Sequence, residues 1–333
     1  MKEIDVIALG EILIDFTSAG ISSAGQALYE RNAGGAPANV AAAVARLGGR
    51  SGFIGKIGTD SFGIYLRQTL ENLGVQTSGL SETSDQHTTL AFVSLSSNGE
   101  REFSFCRNPG ADTCLEEADL AQAGLEKTKF LHIGSLSLTH EPARSATHAA
   151  IKAVREAGGY ISYDPNWRKP LWSSQEEGII QMKSLIPLAH MVKVSEEELH
   201  LLYGVNPETD LGLAKGAALI RNEGPSFVMI TLGPRGVYYQ NSFSSGIVEA
   251  PVVKVQDTTG AGDSFVGGLL YRFSKLPQDL SPFDRSASEI EEDLYFANAV
   301  ASICVTRRGA IPAMPDLSEV TKLIQNATFR SRS

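Results

Sequence analysis

The chain has 333 residues, 42 % hydrophobic and 20 % charged, enough for a sizeable core and too apolar for a chain dominated by disorder. Lys and Arg number 29 against 38 Asp and Glu, and the resulting charge of −9 argues against a nucleic-acid partner held by the overall field. Cys106, Cys114 and Cys304 form no C-x-x-C pair, Met1-Lys2-Glu3-Ile4-Asp5 is no signal peptide, and no apolar run approaches the ~20 residues of a membrane span; a cytoplasmic protein with no membrane partner is expected.

In chain order, Val6-Ile7-Ala8-Leu9 predicts a first strand. Residues 12–33 read as strand without helix. Helical patterns follow at Ala38–Leu47 and Phe62–Leu73. Residues 86–111 again read as strand alone: Thr88–Leu95 and Glu102–Cys106 flank Ser97-Asn98-Gly99, a hairpin signal, with Phe103 and Phe105 on one face of the second strand. Strands then alternate with helices. Phe130–Ile133, Tyr160–Tyr163, Met191–Val194 and Phe227–Ile230 are the strands; Pro142–Ala157, Glu196–Tyr203 and Leu211–Arg221 are the helices. Thr328–Ser333 should fray. This alternation predicts an α/β fold with a doubly wound, mainly parallel sheet flanked by helices, which binds ligands at the carboxyl ends of its strands. A lone hairpin is marginal in water, so the two strand-only stretches are expected to pair in a small sheet.

Two glycine-rich segments stand out. In Asp257-Thr258-Thr259-Gly260-Ala261-Gly262-Asp263-Ser264, a strand-like run at Val252–Val255 precedes and an apolar helical pattern at Phe265–Phe273 follows. Small residues before a helix leave N–H groups free to meet an anion. Asp263 there would repel a bound anion, unless it takes the proton of a nucleophilic hydroxyl while the amides hold a phosphoryl group. An Asp in the first turn of a glycine-entered helix is also common for structural reasons alone. The second segment is Gly34-Gly35-Ala36-Pro37-Ala38-Asn39-Val40-Ala41, leading to Leu47-Gly48-Gly49. Asn39 carries donors and an acceptor suited to sugar hydroxyls, although a turn before a tightly packed Ala-rich helix explains the same residues. Other motifs fit poorly: Gly260-x-Gly262 lacks the third glycine of a dinucleotide fingerprint, Gly55-Lys56 lacks the flanks of a P-loop, and Pro142 interrupts any zinc helix at His140-Glu141.

Together the segments from Gly34 to Gly58 and from Asp257 to Gly268 resemble the two signatures of the ribokinase-like sugar kinases, the phosphofructokinase B-type carbohydrate kinase family. The resemblance runs from Gly10-Glu11-Ile12-Leu13-Ile14-Asp15 to Thr306-Arg307-Arg308-Gly309-Ala310-Ile311-Pro312. Arg101–Pro109 and Asp164-Pro165-Asn166-Trp167-Arg168 make it most similar to fructokinases. It implies a ribokinase-like fold. Residues 1–11, 34–85 and 112–330 would form a large α/β domain, and 12–33 and 86–111 a small β lid.

The resemblance also implies roles. Asp263 would be the base, and Gly260, Ala261 and Gly262 the anion hole. Asp15, Gly34, Gly35, Asn39, Arg107, Asn108 and Arg168 would meet the sugar, most similar to D-fructose taken to fructose 6-phosphate. Ser195, Thr231, Gly233, Gly236 and Asn298 would meet ATP, with Ser195 standing where the family has Asn. Glu198 would act on Mg²⁺ through water. Asp257, Thr259, Cys304, Arg307, Gly309 and Ala313 fall where relatives hold a monovalent cation such as K⁺, mostly through backbone oxygens. A homodimer through the lid is expected. Ribose, 2-keto-3-deoxygluconate or a nucleoside are alternative substrates. A non-catalytic sugar-binding relative and an NAD-binding oxidoreductase are readings of other classes, the first weakened by the retained base and the second by the missing fingerprint.

Overall fold

The computed structural model describes the backbone of residues 2–95 and 101–330. The expected turn Ser97-Asn98-Gly99, the Phe103 side chain and Ser331–Ser333 lie outside the described residues. The chain starts with β1 (Ile4–Leu9) and crosses to a small sheet for β2 (Leu13–Ile21) and β3 (Ala27–Gly34). It returns for α1 (Ala36–Arg46), β4 (Ser51–Gly58), α2 (Ser61–Asn72) and β5 (Gln76–Thr83), then crosses again for β6 (Leu90–Leu95) and β7 (Arg101–Cys106). The rest builds the large layers: β8 (Thr128–Ile133), α3 (Ala143–Glu156), β9 (Tyr160–Tyr163), α4 (Gln175–Leu185), β10 (Met191–Ser195), α5 (Glu196–Tyr203), α6 (Asp210–Asn222) and β11 (Phe227–Thr231). A hairpin, β12 (Val237–Gln240) and β13 (Ser245–Val248), precedes α7 (Ala261–Ser274), α8 (Ala287–Cys304) and α9 (Leu317–Arg330).

The large sheet has nine strands in the order β13-β12-β11-β10-β9-β8-β1-β4-β5. All its pairs are parallel except β11–β12 and β12–β13. The winding reverses at β1, with β4 on one side and β8 on the other, which is where a doubly wound sheet opens a ligand crevice. The small sheet has four strands in the order β3-β2-β6-β7, so the two strand-only stretches do pair with each other.

Both faces of the large sheet are covered, and its strands alternate between two cores. Val228 and Ile230 pack with α3, α5 and α6 residues such as Ile151, Leu199 and Leu213. Phe227 and Met229 pack with Phe265, Leu269 and Leu294 of α7 and α8. On β10 the same parity puts Val192 and Val194 in the first core and Met191 in the second.

Two local expectations fail, a strand at Val252–Val255 and fraying from Thr328. Val252–Val255 is no strand: it runs irregularly, with Val252 fully exposed and Val255 54 % exposed, because it has no neighbour in either sheet. Gly55-Lys56, a poor P-loop, lies inside β4, where a Cβ on Gly55 would come 2.7 Å from the Gly10 carbonyl oxygen. The C-terminal helix also continues through Thr328 to Arg330 rather than fraying there.

Candidate active site

Two cavities of ≈ 370 Å³ each open where strand ends meet helix starts. The first is lined by Glu11 after β1, Asp164 after β9, Lys193 and Ser195 on β10, Asn39 of α1 and Asp263 of α7. The second is lined by Thr231 at the end of β11, by Gly233 and Gly236, by the irregular Pro251–Val253 segment, and by Asn298 of α8. Thr258, Ala261 and Gly262 line both, so the two cavities meet on the glycine-rich turn at the start of α7.

That turn is shaped by Gly260, whose left-handed backbone (φ 75°) caps α7. A Cβ there would sit 2.8 Å from the Ala310 Cβ, so only glycine fits. The Ala261 amide donates to Thr258 O (3.3 Å), and the helix ladder begins with Ser264 N donating to Gly260 O (2.8 Å). The Gly262 and Asp263 amides therefore have no acceptor within the helix and carry its positive dipole end.

Asp263 is held from α1. Asn39 Nδ2 donates to its Oδ2 at 2.7 Å. One turn further along each helix, a Cβ on Gly267 would approach the Ala43 Cβ to 2.5 Å. The small residues at 43 and 267 let the helices come close enough for the pair to form. Burial raises the Asp263 carboxyl above the ordinary range, while the Asn39 hydrogen bond and the charges of Lys193 and Arg168 pull it back. A carboxyl made more basic by burial, with a hydrogen bond and two cations limiting the rise, suits a general base.

Around it lies a buried charged group. Lys193 Nζ donates to Asp164 Oδ2 at 3.0 Å, with both side chains at least nine-tenths buried. Burial pushes the Asp164 carboxyl up, against the pull of Lys193. Burial lowers the Lys193 pKa; Asp164, Glu198 and Asp263 more than offset this and raise it. Glu198 has both oxygens engaged by backbone amides, from Trp167 N (2.8 Å) and Ser195 N (2.7 Å), and Ser195 Oγ accepts from Glu198 N (3.1 Å). Ser195 and Glu198 thus form a capping box at the start of α5, and Glu198 also pins the loop that carries Asp164, Asn166 and Arg168 into the first cavity.

The other sugar-side positions separate. Asp15 lines the first cavity and lies over Gly34, where a Cβ would come 2.0 Å from its Oδ2. Gly35 lines the cavity with φ 107°, and a Cβ there would come 2.4 Å from the Glu11 carbonyl oxygen. Glu11 Oε1 accepts from Ala36 N (2.8 Å), while Oε2 is buried with no hydrogen-bond partner among the described residues. Arg168 is exposed, lines the cavity, and its charge is felt at both Asp263 and Glu198.

Arg107 lies apart from these positions. It is 5 % exposed and does not line the cavity. Nε donates to Asp112 Oδ2 (2.7 Å), one terminal nitrogen to Thr139 Oγ1 (2.9 Å) and the other to Leu136 O (2.9 Å). A buried guanidinium must have its donors met, and here protein atoms meet them. Asn108 is exposed and likewise outside the lining. Phe105 of β7 is the residue by which that strand reaches the cavity.

In the second cavity, Thr231 Oγ1 donates to Val194 O (3.4 Å), and Asn298 Nδ2 donates to Val248 O (2.9 Å) and Glu249 O (3.2 Å). A Cβ on Gly236 would meet Val248 O at 2.1 Å. Beside the shared turn, Asp257 Oδ1 accepts from the Thr259 amide (2.8 Å) and hydroxyl (2.7 Å), and Oδ2 accepts from Gly309 N (3.0 Å). Cys304 Sγ lies 3.8 Å from Thr259 O, and the Arg307 side chain pairs with Glu319. Segments 257–260 and 304–310 thus come together, with Ala313 following on a short helical turn.

Glu11, Asp164 and Lys193 belong to the cavity although no motif assigned them a role. Lys193 had a legible signal: it is the one charged residue in the apolar strand Met191-Val192-Lys193-Val194. Glu11 had none, since its burial follows from the crossing between the two sheets.

The model for "pfkB family carbohydrate kinase" matches residues 3–317. Fructokinase-1 of Oryza sativa subsp. japonica is 43 % identical over 327 residues, covering 97 % of this chain and 98 % of its own. A crystal structure of fructokinase with bound ATP from Xylella fastidiosa matches with TM-score 0.89 and 36 % identity, over 98 % of this chain and 100 % of that one. A fructokinase structure from Vibrio cholerae O395, in a fructose, ADP and calcium ion bound form, matches with TM-score 0.84 and 36 % identity, over 96 % and 98 % of the two chains.

Proposed function

The chain belongs to the pfkB family of carbohydrate kinases, and from that premise we propose that it is an ATP-dependent sugar kinase that phosphorylates D-fructose to fructose 6-phosphate. One observation carries the reading: a polar cavity and an apolar-walled cavity meet on the Thr258–Gly262 turn, with Asp263 beside the junction. Sugar in the first cavity and ATP in the second bring hydroxyl and γ-phosphate together on that turn.

Asp15 and Asn39 bind sugar hydroxyls, with Gly34 and Gly35 giving them room, and Arg168 reaches the substrate from the loop after β9. Asp263 takes the proton of the attacking hydroxyl. The amides of the Gly260–Gly262 turn hold the transferring phosphoryl group, with the dipole of α7 behind them. Thr231, Gly233, Gly236 and Asn298 form the nucleotide wall, and Ser195 lies near the phosphates. The carboxylate oxygens of Glu198 are hard donors with lone pairs left over, which fits Mg²⁺ held through water. When bound with ATP, that ion neutralises phosphate charge.

The paired loops holding Asp257, Thr259, Cys304, Arg307, Gly309 and Ala313 take a monovalent cation, K⁺, through backbone oxygens and so stiffen the turn. Activity in K⁺ should exceed activity in a large organic cation; equality removes this part of the reading. The small sheet serves as a lid that shuts out water, and as the surface of a homodimer.

The deciding experiment is ADP release from ATP with Mg²⁺, against fructose, ribose, 2-keto-3-deoxygluconate, glucose and nucleosides. Fructose should give the highest kcat/KM. No turnover with any sugar sinks the kinase reading, and a clear preference for another substrate replaces fructose.

A further inference from the structure

Three carboxylates line the first cavity, Asp164 and Glu198 buried and Asp263 half-buried, and each interacts electrostatically with the Lys193 ammonium. A phosphoryl group entering among three carboxylates meets repulsion that two backbone amides offset only in part. The ammonium lies where this matters. A Cβ on Gly262, one of the residues shared by the two cavities, would stand 3.3 Å from Lys193 Nζ.

An ammonium has three donors. Among the described residues Asp164 Oδ2 is the hydrogen-bond acceptor of Lys193 Nζ, at 3.0 Å. The side chain is only 9 % exposed, yet it lines the cavity. Donors left over on a largely buried ammonium beside the junction of the two cavities are useful when an anion arrives.

We propose that Lys193 is a catalytic residue whose ammonium contacts the transferring phosphoryl group, and that Asp164 is the positioning residue that aims it. This rests on the kinase reading. In the transfer, a bond forms from the sugar oxygen to the γ-phosphorus. The bond from that phosphorus to the β,γ-bridging oxygen breaks, and its electron pair leaves on ADP. The hydroxyl proton goes to Asp263. Lys193 makes and breaks no covalent bond and keeps its protons. It neutralises charge on the oxygens in flight, as a preorganised donor does.

The test compares wild type, Lys193→Met and Lys193→Arg by steady-state kinetics with fructose and by calorimetric titration with adenosine, ADP and a non-hydrolysable β,γ-imido ATP analogue. Lys193→Met should lower kcat about 100-fold or more, the loss typical of a removed oxyanion donor. It should weaken the imido analogue about tenfold, one charge-assisted contact, and leave adenosine binding unchanged. Lys193→Arg should recover part of kcat. Removing Lys193 strands the Asp164 charge, so the double variant Lys193→Met/Asp164→Asn guards against misfolding: it should melt near wild type and stay as slow as Lys193→Met. A kcat within about threefold of wild type in either Met variant, or equal weakening of adenosine and the imido analogue, overturns the proposal. If wild type phosphorylates no sugar, the kinase reading itself has failed, and the proposal falls with it before any variant is compared.

Discussion

Two buried ion pairs, about equally short, do opposite work in this molecule. At the foot of the small sheet, Arg107 meets Asp112 at 2.7 Å; at the end of β10, Lys193 meets Asp164 at 3.0 Å. Arg107 spends further donors on Thr139 and Leu136, and Asp112 also accepts from Thr89. Thr89 leads into β6 and Arg107 leaves β7, so this pair fixes both ends of one hairpin to the large layers. The lysine keeps donors in hand beside a cavity. A buried charge by itself says little about function. What separates a structural pair from a chemical one is whether its cation is anchored at every nitrogen by protein atoms or faces a cavity with donors to spare.

The comparison can be broken by experiment, because damage at the cavity should appear in rate and damage at the hinge in stability. The largest effect is expected for Asp263→Asn. Its kcat should fall by about 10²–10⁴, the range for a lost general base, while the melting temperature and adenosine affinity hold. Activity within a few-fold of wild type would remove Asp263 as the base. Next is Arg107→Met, which leaves Asp112 buried without its cation and should cost about 3–5 kcal/mol in denaturant unfolding. The molecules that remain folded should keep kcat within about threefold. Unchanged stability, or loss of rate alone, would place Arg107 in the site after all.

Asn39→Ala should have a smaller effect. It deletes the hydrogen bond that lowers the Asp263 pKa, so that pKa rises further. A base must be ionised, so activity is lost as pH falls through its pKa. The acid limb of the kcat profile should therefore move to higher pH in Asn39→Ala; an unmoved limb argues that the bond does not tune the base.

The smallest effect concerns Glu11, whose buried carboxyl is pushed up from 4.5 to about 7, chiefly by burial, with Asp112 adding and Arg107 opposing. The folded protein then binds this proton more tightly than the unfolded chain does. Its contribution is stabilising below about pH 4.5 and is lost progressively as pH rises to about 7. Glu11→Gln keeps an acceptor for Ala36 N and has no proton to lose. The stability difference between variant and wild type should therefore grow across that window, in favour of Gln. A constant difference would mean Glu11 titrates normally.

The helices that carry the site were legible because their signals are local. Apolar spacing marked Glu196–Tyr203, and glycines followed by an apolar pattern marked the start of α7. β4 was not legible. No strand was expected over Ser51–Gly58, because its glycines interrupt the apolar pattern and answer to a neighbouring strand and the Gly10 carbonyl. Val252–Val255 failed in the other direction: it has strand composition, yet no edge in the folded protein accepts it.

The sequence by itself determined the fold class, the paired strand-only stretches, the kinase family resemblance and the places where backbone must turn tightly. These follow from periodicity and from glycines whose need is written in adjacent residues. Only the tertiary structure decided which charged side chains are spent. Arg107 sits in a segment that suits a ligand to the sugar, and Lys193 lies within an apolar strand. Their roles depend on Asp112, Thr139, Asp164 and Gly262, residues distant in sequence or placed by other elements. Burial and hydrogen-bond capacity are properties of the assembled neighbourhood, and no short stretch of sequence contains it.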